Sequence, residues 1–293
     1  MLRVNLELER KAIERLKAFE PEDGYYLCYS GGKDSDVIKI LAHLAGVKFE
    51  AVHNLTTVDA PETVNYIRSQ SDVRIDYPEL SMWRLIEKKL MPPTRLMRYC
   101  CSELKERGGK GKVKITGVRW DESNNRKENR GLVNIIGKPK TMLRFADENN
   151  VNYGLTKQNG LILNYDDDAS RRMVEHCYRT TSTMVNPIID WKDDDVWQFL
   201  RHYDCRSNPL YYCGFCRIGC IGCPLSGSKR MKIEFELYPK YKENYIRAFD
   251  RMLIAREKAG KPTQWQSGEE VFYFWIQENP NQITFDELLN NRS

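Results

Sequence analysis

The sequence predicts an α/β protein built on a doubly wound parallel sheet, with a cysteine-rich loop and a helical C-terminal appendage. Three observations carry that prediction. Residues 25–52 read as strand, tight polar turn, helix and strand, the mark of a βαβ unit. Short apolar runs and helix-period stretches keep alternating to about residue 195. From Asn208 the alternation gives way to closely spaced cysteines and then one long amphipathic stretch. A length of 293 residues suits one large domain of this kind or two small ones.

In order, residues 1–20 read as an amphipathic helix that ends at the Glu20-Pro21-Glu22-Asp23-Gly24 turn. Tyr25–Tyr29 is a short apolar strand that runs into the polar Ser30–Ser35. Val37, Ile38, Leu41, Leu44 and Ala45 then fall on one helix face, and Gly46 stands where a C-cap belongs. Val47–Val52 is the next strand, Thr63–Gln70 a helix, Val73–Tyr77 and Lys114–Val118 further strands. Residues 21–205 thus form the predicted sheet domain and 206–293 the appendage. In the latter, Tyr241, Tyr245, Ala248, Phe249, Met252 and Leu253 share a helix face closed by Gly260.

Hydrophobic residues make up 41% and charged residues 30%, which argues against disorder. No apolar run approaches the roughly 20 residues that span a bilayer, and the first helix lacks the apolar core of a secretory signal. A cytoplasmic protein with no membrane partner is the expectation. The net charge is +5, but Arg84–Arg130 holds 14 Lys/Arg against 6 Asp/Glu. A surplus of that size suits a polyanion such as a nucleotide or nucleic acid; on charge alone a solvated face is the favoured reading.

Ser30-Gly31-Gly32-Lys33-Asp34-Ser35 lies between a predicted strand and a predicted helix. Two glycines let backbone approach an anion, and the helix N-terminus points amides at it. Lys33 adds charge, Ser30 and Ser35 add hydroxyls, and Asp34 suits Mg2+ bound to phosphate oxygens. The pattern is not the G-x-x-x-x-G-K-[ST] loop of the common nucleoside triphosphatases.

Tyr29–Asp36 resembles the pyrophosphate-binding loop of the ATP pyrophosphatases, the PP-loop or adenine nucleotide α-hydrolase-like superfamily. The chain is most similar to its PAPS reductase-like branch, on motifs that run in order. These are Asp59-Ala-Pro-Glu62-Thr63, Arg98-Tyr-Cys100-Cys101-Ser-Glu-Leu-Lys105, and Thr116-Gly117-Val-Arg119-Trp-Asp-Glu122-Ser123 with Arg126. Asn186-Pro187-Ile-Ile-Asp190-Trp191 with Asp195-Val196-Trp197, and Arg217-Ile-Gly219-Cys220-Ile-Gly-Cys223-Pro224, complete the series. The resemblance implies a HUP-like fold that binds an adenine nucleotide at the C-terminal ends of the strands, as open parallel sheets do. It implies that Ser30, Gly31, Gly32, Lys33, Asp34 and Ser35 cradle the pyrophosphate and that Gly117 and Arg119 face the phosphates. Lys33, Asp34 and Arg119 are then the catalytic residues. On spacing alone, a surface salt bridge from Arg119 to Asp121 or Glu122 is an equal reading.

The branch holds both sulfonucleotide reductases and ATP-using sulfur-transfer enzymes. The intact S-G-G-K-D-S loop and a stretch from Tyr238 to Ser293 without cysteine or histidine favour ATP over a reductase, which needs a C-terminal thiolate. The expected reaction is adenylylation with pyrophosphate release, in sulfur transfer. A PAPS/APS reductase is the alternative, and a non-catalytic zinc-containing nucleic-acid-binding module the second.

Nine cysteines include Cys213-x2-Cys216-x3-Cys220-x2-Cys223, a spacing compatible with Zn2+ or a [4Fe–4S] cluster. The cluster is the leading reading, with Cys100 or Cys101 as a further ligand. The Cys100-Cys101 pair with Cys220-x-x-Cys223 also resembles the signature of iron–sulfur APS reductases, and Cys213-x6-Cys220-x2-Cys223 that of DNA phosphorothioation sulfurtransferases. The partners implied are a sulfur donor protein such as a cysteine desulfurase, or thioredoxin, and a nucleic-acid acceptor. Cys28, Cys177 and Cys205 read as packing residues, His43 and His202 as helix surface, and Asp193-Asp194-Asp195 as charge at a helix N-terminus. Tyr211, Tyr212 and Phe215 suit base stacking or packing equally.

Overall fold

The structure is a computed structural model that describes residues 5–137, 139–261 and 263–277; the first four residues of the predicted N-terminal helix and 278–293 of the predicted appendage lie outside them. In chain order the elements are α1 (Leu6–Ala18), β1 (Tyr25–Cys28), α2 (Lys33–Ala45), β2 (Phe49–Asn54), α3 (Pro61–Arg68), β3 (Val73–Asp76) and α4 (Met82–Lys89). There follow β4 (Val113–Ile115), α5 (Asn124–Asn129), β5 (Val133–Ile136), α6 (Pro139–Glu148), β6 (Gly154–Leu155) and β7 (Leu161–Leu163). Last come α7 (Asp168–Cys177), β8 (Ser182–Val185), α8 (Asp193–His202), α9 (Ser228–Leu237), α10 (Pro239–Lys258) and α11 (Gly268–Ile276).

The chain divides into two compact units. The first comprises residues 1–53, 62–75 and 108–218; the second comprises 54–61, 76–107 and 219–293. The second unit therefore draws on two internal segments as well as the C-terminal stretch.

The first unit is an eight-stranded sheet in the order β3-β2-β1-β4-β8-β5-β7-β6. β2, β1, β4 and β8 run parallel, with Tyr25 opposite Phe49, Leu27 opposite Ile115 and Ile115 opposite Val185. β1 shows no alternation of apolar and polar residues because it is covered on both faces: Tyr25, Tyr26 and Leu27 are all buried. The sheet departs from the fully parallel prediction at one edge. β5 pairs antiparallel with both β8 and β7, and β6 pairs antiparallel with β7. Leu161, Ile162 and Leu163 are too short an apolar run to reveal strand direction from sequence.

α2 shows why the predicted βαβ unit forms. Val37, Ile38, Leu41, Ala42 and Ala45 turn their apolar face into the core, and Gly46 closes the helix with φ +69°. α1 is tied to the same unit by a buried ion pair. Arg15 donates to Asp190 at 2.7 and 2.8 Å and to the Pro187 carbonyl at 2.8 Å, which gives the N-P-I-x-D segment a structural role.

The second unit is helical. Its core is the aromatic group Phe235, Tyr245, Phe249, Phe272 and Trp275, from α9, α10 and α11. Tyr245, Ala248, Phe249 and Met252 are buried as predicted, and Gly260 ends the stretch with φ +66°. Trp83 of α4 meets Tyr245 edge-on at 4.9 Å, and Trp275 Nε1 donates to the Pro93 carbonyl at 2.6 Å. Segment 54–61 joins through an antiparallel bridge between Asp59 and Cys220.

Candidate functional site

β1 ends at the sheet's C-terminal edge, and the chain turns through Gly31 into α2. Gly31 has φ +70°, and a Cβ there would lie 2.9 Å from Ile67, so the turn requires glycine. Ser35 holds the turn closed: its Oγ donates to the Gly32 carbonyl at 2.7 Å and accepts from the Gly32 N–H at 3.1 Å. Asn208 braces it from outside, donating to the Gly31 carbonyl at 3.0 Å and to Thr63 Oγ1 at 3.1 Å. Ser30 Oγ lies 3.3 Å from Ser35 Oγ. The six predicted residues therefore form one cup at the start of a thirteen-residue helix.

Two cations converge on it. Lys33, only 5% exposed, places Nζ 3.2 Å from Asp34 and 2.7 Å from Asp193 Oδ1. Arg119, 2% exposed, donates Nε to Asp34 at 2.7 Å and Nη2 to Asp193 at 2.9 Å. Burial works against the Arg119 charge, but Asp34 and Asp193 outweigh it and hold the guanidinium above its ordinary range. Asp193 is held below the ordinary carboxylate range by Lys33 and Arg119 against the upward pull of its partial burial. Gly117 enables the approach, since a Cβ there would meet Asp34 Cβ at 2.8 Å and the Asp34 carbonyl oxygen at 2.9 Å. The alternative surface bridge also exists in weaker form, Arg119 to Asp121 at 3.6 Å.

Asp193 and Tyr211 are the residues that sequence reasoning missed. Asp193 does start α8, as the helix-dipole reading had it, but its carboxylate is spent on Lys33 and Arg119. Tyr211 does more than pack: its hydroxyl accepts the Lys33 N–H at 2.9 Å while its ring meets Trp197 edge-on at 5.1 Å. No local signal marks either contact.

Beneath the cup lies Asp36, 2% exposed, whose backbone N–H donates to the Gly32 carbonyl at 3.1 Å. Tyr29 donates its hydroxyl to Asp36 Oδ1 at 2.5 Å. Burial, only partly opposed by Tyr29, Tyr66 and Lys39, raises the Asp36 carboxyl to about 7. The folded protein thus binds a proton that the unfolded chain has released, so stability falls as pH rises from about 4 to about 7. The Asp36→Asn protein should lose that slope, and denaturant unfolding across this pH range measures it.

The cysteines divide between the two units. Cys213 and Cys216 belong to the first and are exposed. In the second, Cys100 and Cys101 are hydrogen-bonded to each other, and the charges of Cys220 and Cys223 reach Cys100. Cys101 is lowered by the Cys100 hydrogen bond and Arg98, and Cys100 is raised by Cys101 and by burial. Burial and Asp59 push Cys220 up to about 12, with Lys105 and a 3.4 Å contact to Thr56 Oγ1 opposing. The Lys105 ammonium is held above its ordinary range because the charges of Cys220, Asp59, Cys101 and Cys223 outweigh its desolvation. Among the described residues no group of three or more His, Cys, Asp or Glu is placed to hold a metal ion. Cys177 is buried, while Cys28 and Cys205 are half-buried. His43 is a surface residue, 3.2 Å from Asp72. His202 lies exposed in the last turn of α8.

Comparison with known proteins adds the following. Residues 24–226 match the phosphoadenosine phosphosulfate reductase domain. An uncharacterized protein of Methanocaldococcus jannaschii is 24% identical over 307 residues, covering 98% of this chain and 61% of that protein, so this chain spans about three-fifths of that relative's length. An adenosine 5′-phosphosulfate reductase of Allochromatium vinosum is 44% identical over 39 residues, 13% of this chain and 15% of that one. The phosphate complex of phosphoadenylyl-sulfate reductase from Candida auris is 14% identical with a TM-score of 0.43, covering 73% of this chain and 92% of that one. No helix among the described residues is long and apolar enough to cross a membrane.

Proposed function

The chain belongs to the phosphoadenosine phosphosulfate reductase domain family, and from that premise we propose that it is a cytoplasmic enzyme that adenylylates its substrate with ATP. The observation that carries this reading is the convergence of Lys33 and Arg119 on a glycine-built cup at the start of α2. A substrate oxygen bonds to the α-phosphorus of ATP while the bond from that phosphorus to the bridging oxygen breaks, and its electron pair leaves on pyrophosphate. A hydrosulfide equivalent then attacks the activated carbon, and AMP departs. The sulfur comes from a donor protein such as a cysteine desulfurase, and a nucleic acid is one acceptor that the basic stretch suits.

The protein's own contribution is positioning and charge. The cup's backbone amides and serine hydroxyls hold the leaving diphosphate, while Lys33 and Arg119 take up its growing charge. Asp34 would supply the hard oxygen donor for Mg2+ bound to the phosphates. Assay of pyrophosphate released from magnesium ATP tests the reading, and a protein that binds the nucleotide but never splits it at the α-phosphorus would end it.

The thiols Cys101, Cys220 and Cys223, whose charges all act on Cys100, support a [4Fe–4S] cluster, with Zn2+ as the alternative. Held by these thiols, such a cluster would bind or activate the sulfur that is transferred. Anaerobically purified protein should then show broad visible absorbance, which Cys220→Ser removes; colourless, zinc-loaded protein would replace the cluster with the metal. The match to an adenosine 5′-phosphosulfate reductase favours one other reading, reduction of a sulfonucleotide with thioredoxin as reductant. Sulfite release from adenosine phosphosulfate decides between the two.

A further inference from the structure

Part of the chain itself reaches into the cup. The Lys33 N–H is one of the amides that the start of α2 offers to an anion, and it donates to the Tyr211 hydroxyl at 2.9 Å. Gly32 shows where that hydroxyl stands. Its φ of −101° is open to any residue, so the backbone does not require glycine there. What the missing side chain leaves is room: a Cβ would lie 3.2 Å from the Tyr211 hydroxyl oxygen and 3.5 Å from Ser30 Oγ. The phenol oxygen therefore takes up the space over Gly32 that a phosphate oxygen needs to reach the same amide. One N–H makes one strong hydrogen bond, so the two oxygens compete for it.

The backbone that brings Tyr211 is firmly held. Asn208 is fully buried, and its side chain donates to the Gly31 carbonyl at 3.0 Å and to Thr63 Oγ1 at 3.1 Å. Its Oδ1 accepts the Leu210 N–H at 3.1 Å, and its carbonyl accepts the Tyr211 N–H at 3.1 Å. A turn about the Tyr211 side-chain bonds is thus enough to withdraw the hydroxyl while the backbone stays in place. Withdrawal gives up one neutral hydrogen bond and the edge-on contact with Trp197 at 5.1 Å. Burial pushes the Tyr211 hydroxyl up against the opposing Lys33 N–H, and Asp34, Asp36 and Asp193 add to the rise, so the group stays protonated and neutral. A diphosphate brings charged oxygens instead, whose hydrogen bonds are about twice as strong as neutral ones.

We propose that Tyr211 is a latch on the cup: its hydroxyl caps the Lys33 N–H in the free protein, and the diphosphate of the nucleotide must displace it to bind. The proposal deepens the adenylylation reading and rests on it for the cup's occupant. Tyr211 does for the amide what Asp193 does for Lys33 and Arg119. Its return after the reaction satisfies the amide again and favours the departure of pyrophosphate.

Calorimetric titration of the full chain with pyrophosphate tests this in the wild type and in Tyr211→Phe. Both proteins hold the bound diphosphate through the same groups, but only the free wild type has the hydroxyl's bond to lose. Tyr211→Phe should therefore bind pyrophosphate about three- to tenfold more tightly, although its free form melts at a lower temperature. A merely structural hydroxyl would lower the melt without tightening the binding. Pyrophosphate should also alter the tryptophan emission of the wild type as the ring leaves Trp197, a change that Trp197→Phe removes. Equal or weaker binding by Tyr211→Phe overturns the latch and leaves the adenylylation reading standing, and so does an emission that pyrophosphate does not alter. Pyrophosphate that binds neither protein ends both.

Discussion

Replacing Lys33 with alanine is expected to cut pyrophosphate release from magnesium ATP by a hundredfold or more while leaving the fold intact. The size follows from what the ammonium faces. Its Nζ sits within 3.2 Å of Asp34 and 2.7 Å of Asp193, in a position only 5% exposed, where water screens little. Removing one preorganised group that stabilises a developing oxyanion typically costs about 10²–10³ in rate. Here the loss has a second part, since two carboxylates would then face Arg119 alone and repel the incoming phosphates. The turnover number and the Michaelis constant should therefore both worsen, and a thermal melt near that of the wild type would show that chemistry rather than folding has been lost. A Lys33→Ala protein that turns over at the wild-type rate would mean that the cup does not handle a reacting diphosphate at all.

The sequence makes the cup legible because its signal is local. Two glycines, a lysine and two serines between a strand and a helix determine their own geometry, and Gly31 and Ser35 do in the structure what their residue types allow. The βαβ start, the C-terminal aromatic helix face and Gly46 were readable for the same reason: periodicity and capping act over a few residues. What was not readable is tertiary. Asp193 looks like helix-start charge because that is also true of it; only the docking of α8 on the cup gives it Lys33 and Arg119. The antiparallel edge escaped because β5 and β7 are short runs, of four and three residues, with no directional signal. Within the second unit, only the fold brings Cys220 and Cys223 to Cys100 and Cys101, more than a hundred residues away in the sequence.

The Asp193→Asn protein should bind pyrophosphate about tenfold more tightly than the wild type, although it loses an acidic residue from the centre of the site. In the structure Asp193 Oδ1 accepts from Lys33 at 2.7 Å and from Arg119 at 2.9 Å, so this one oxygen occupies the two cations that a phosphate needs. An incoming diphosphate must displace it. Asparagine keeps an oxygen there but not the charge, while Asp34 continues to orient both cations, at 3.2 Å from Lys33 and 2.7 Å from Arg119. The pH dependence supplies the sign. Because Lys33 and Arg119 hold Asp193 below the ordinary carboxylate range, it stays ionised through neutral pH and competes fully there. Its stabilising pairings exist above the unfolded value of about 3.9 and are lost only as pH falls through the depressed one. Wild-type affinity for an anion should thus gain on the variant only at acid pH, and the two binding curves should converge there. Weaker binding by Asp193→Asn at neutral pH would reverse the assignment, making the carboxylate an organiser of the two cations rather than their resident counter-ion.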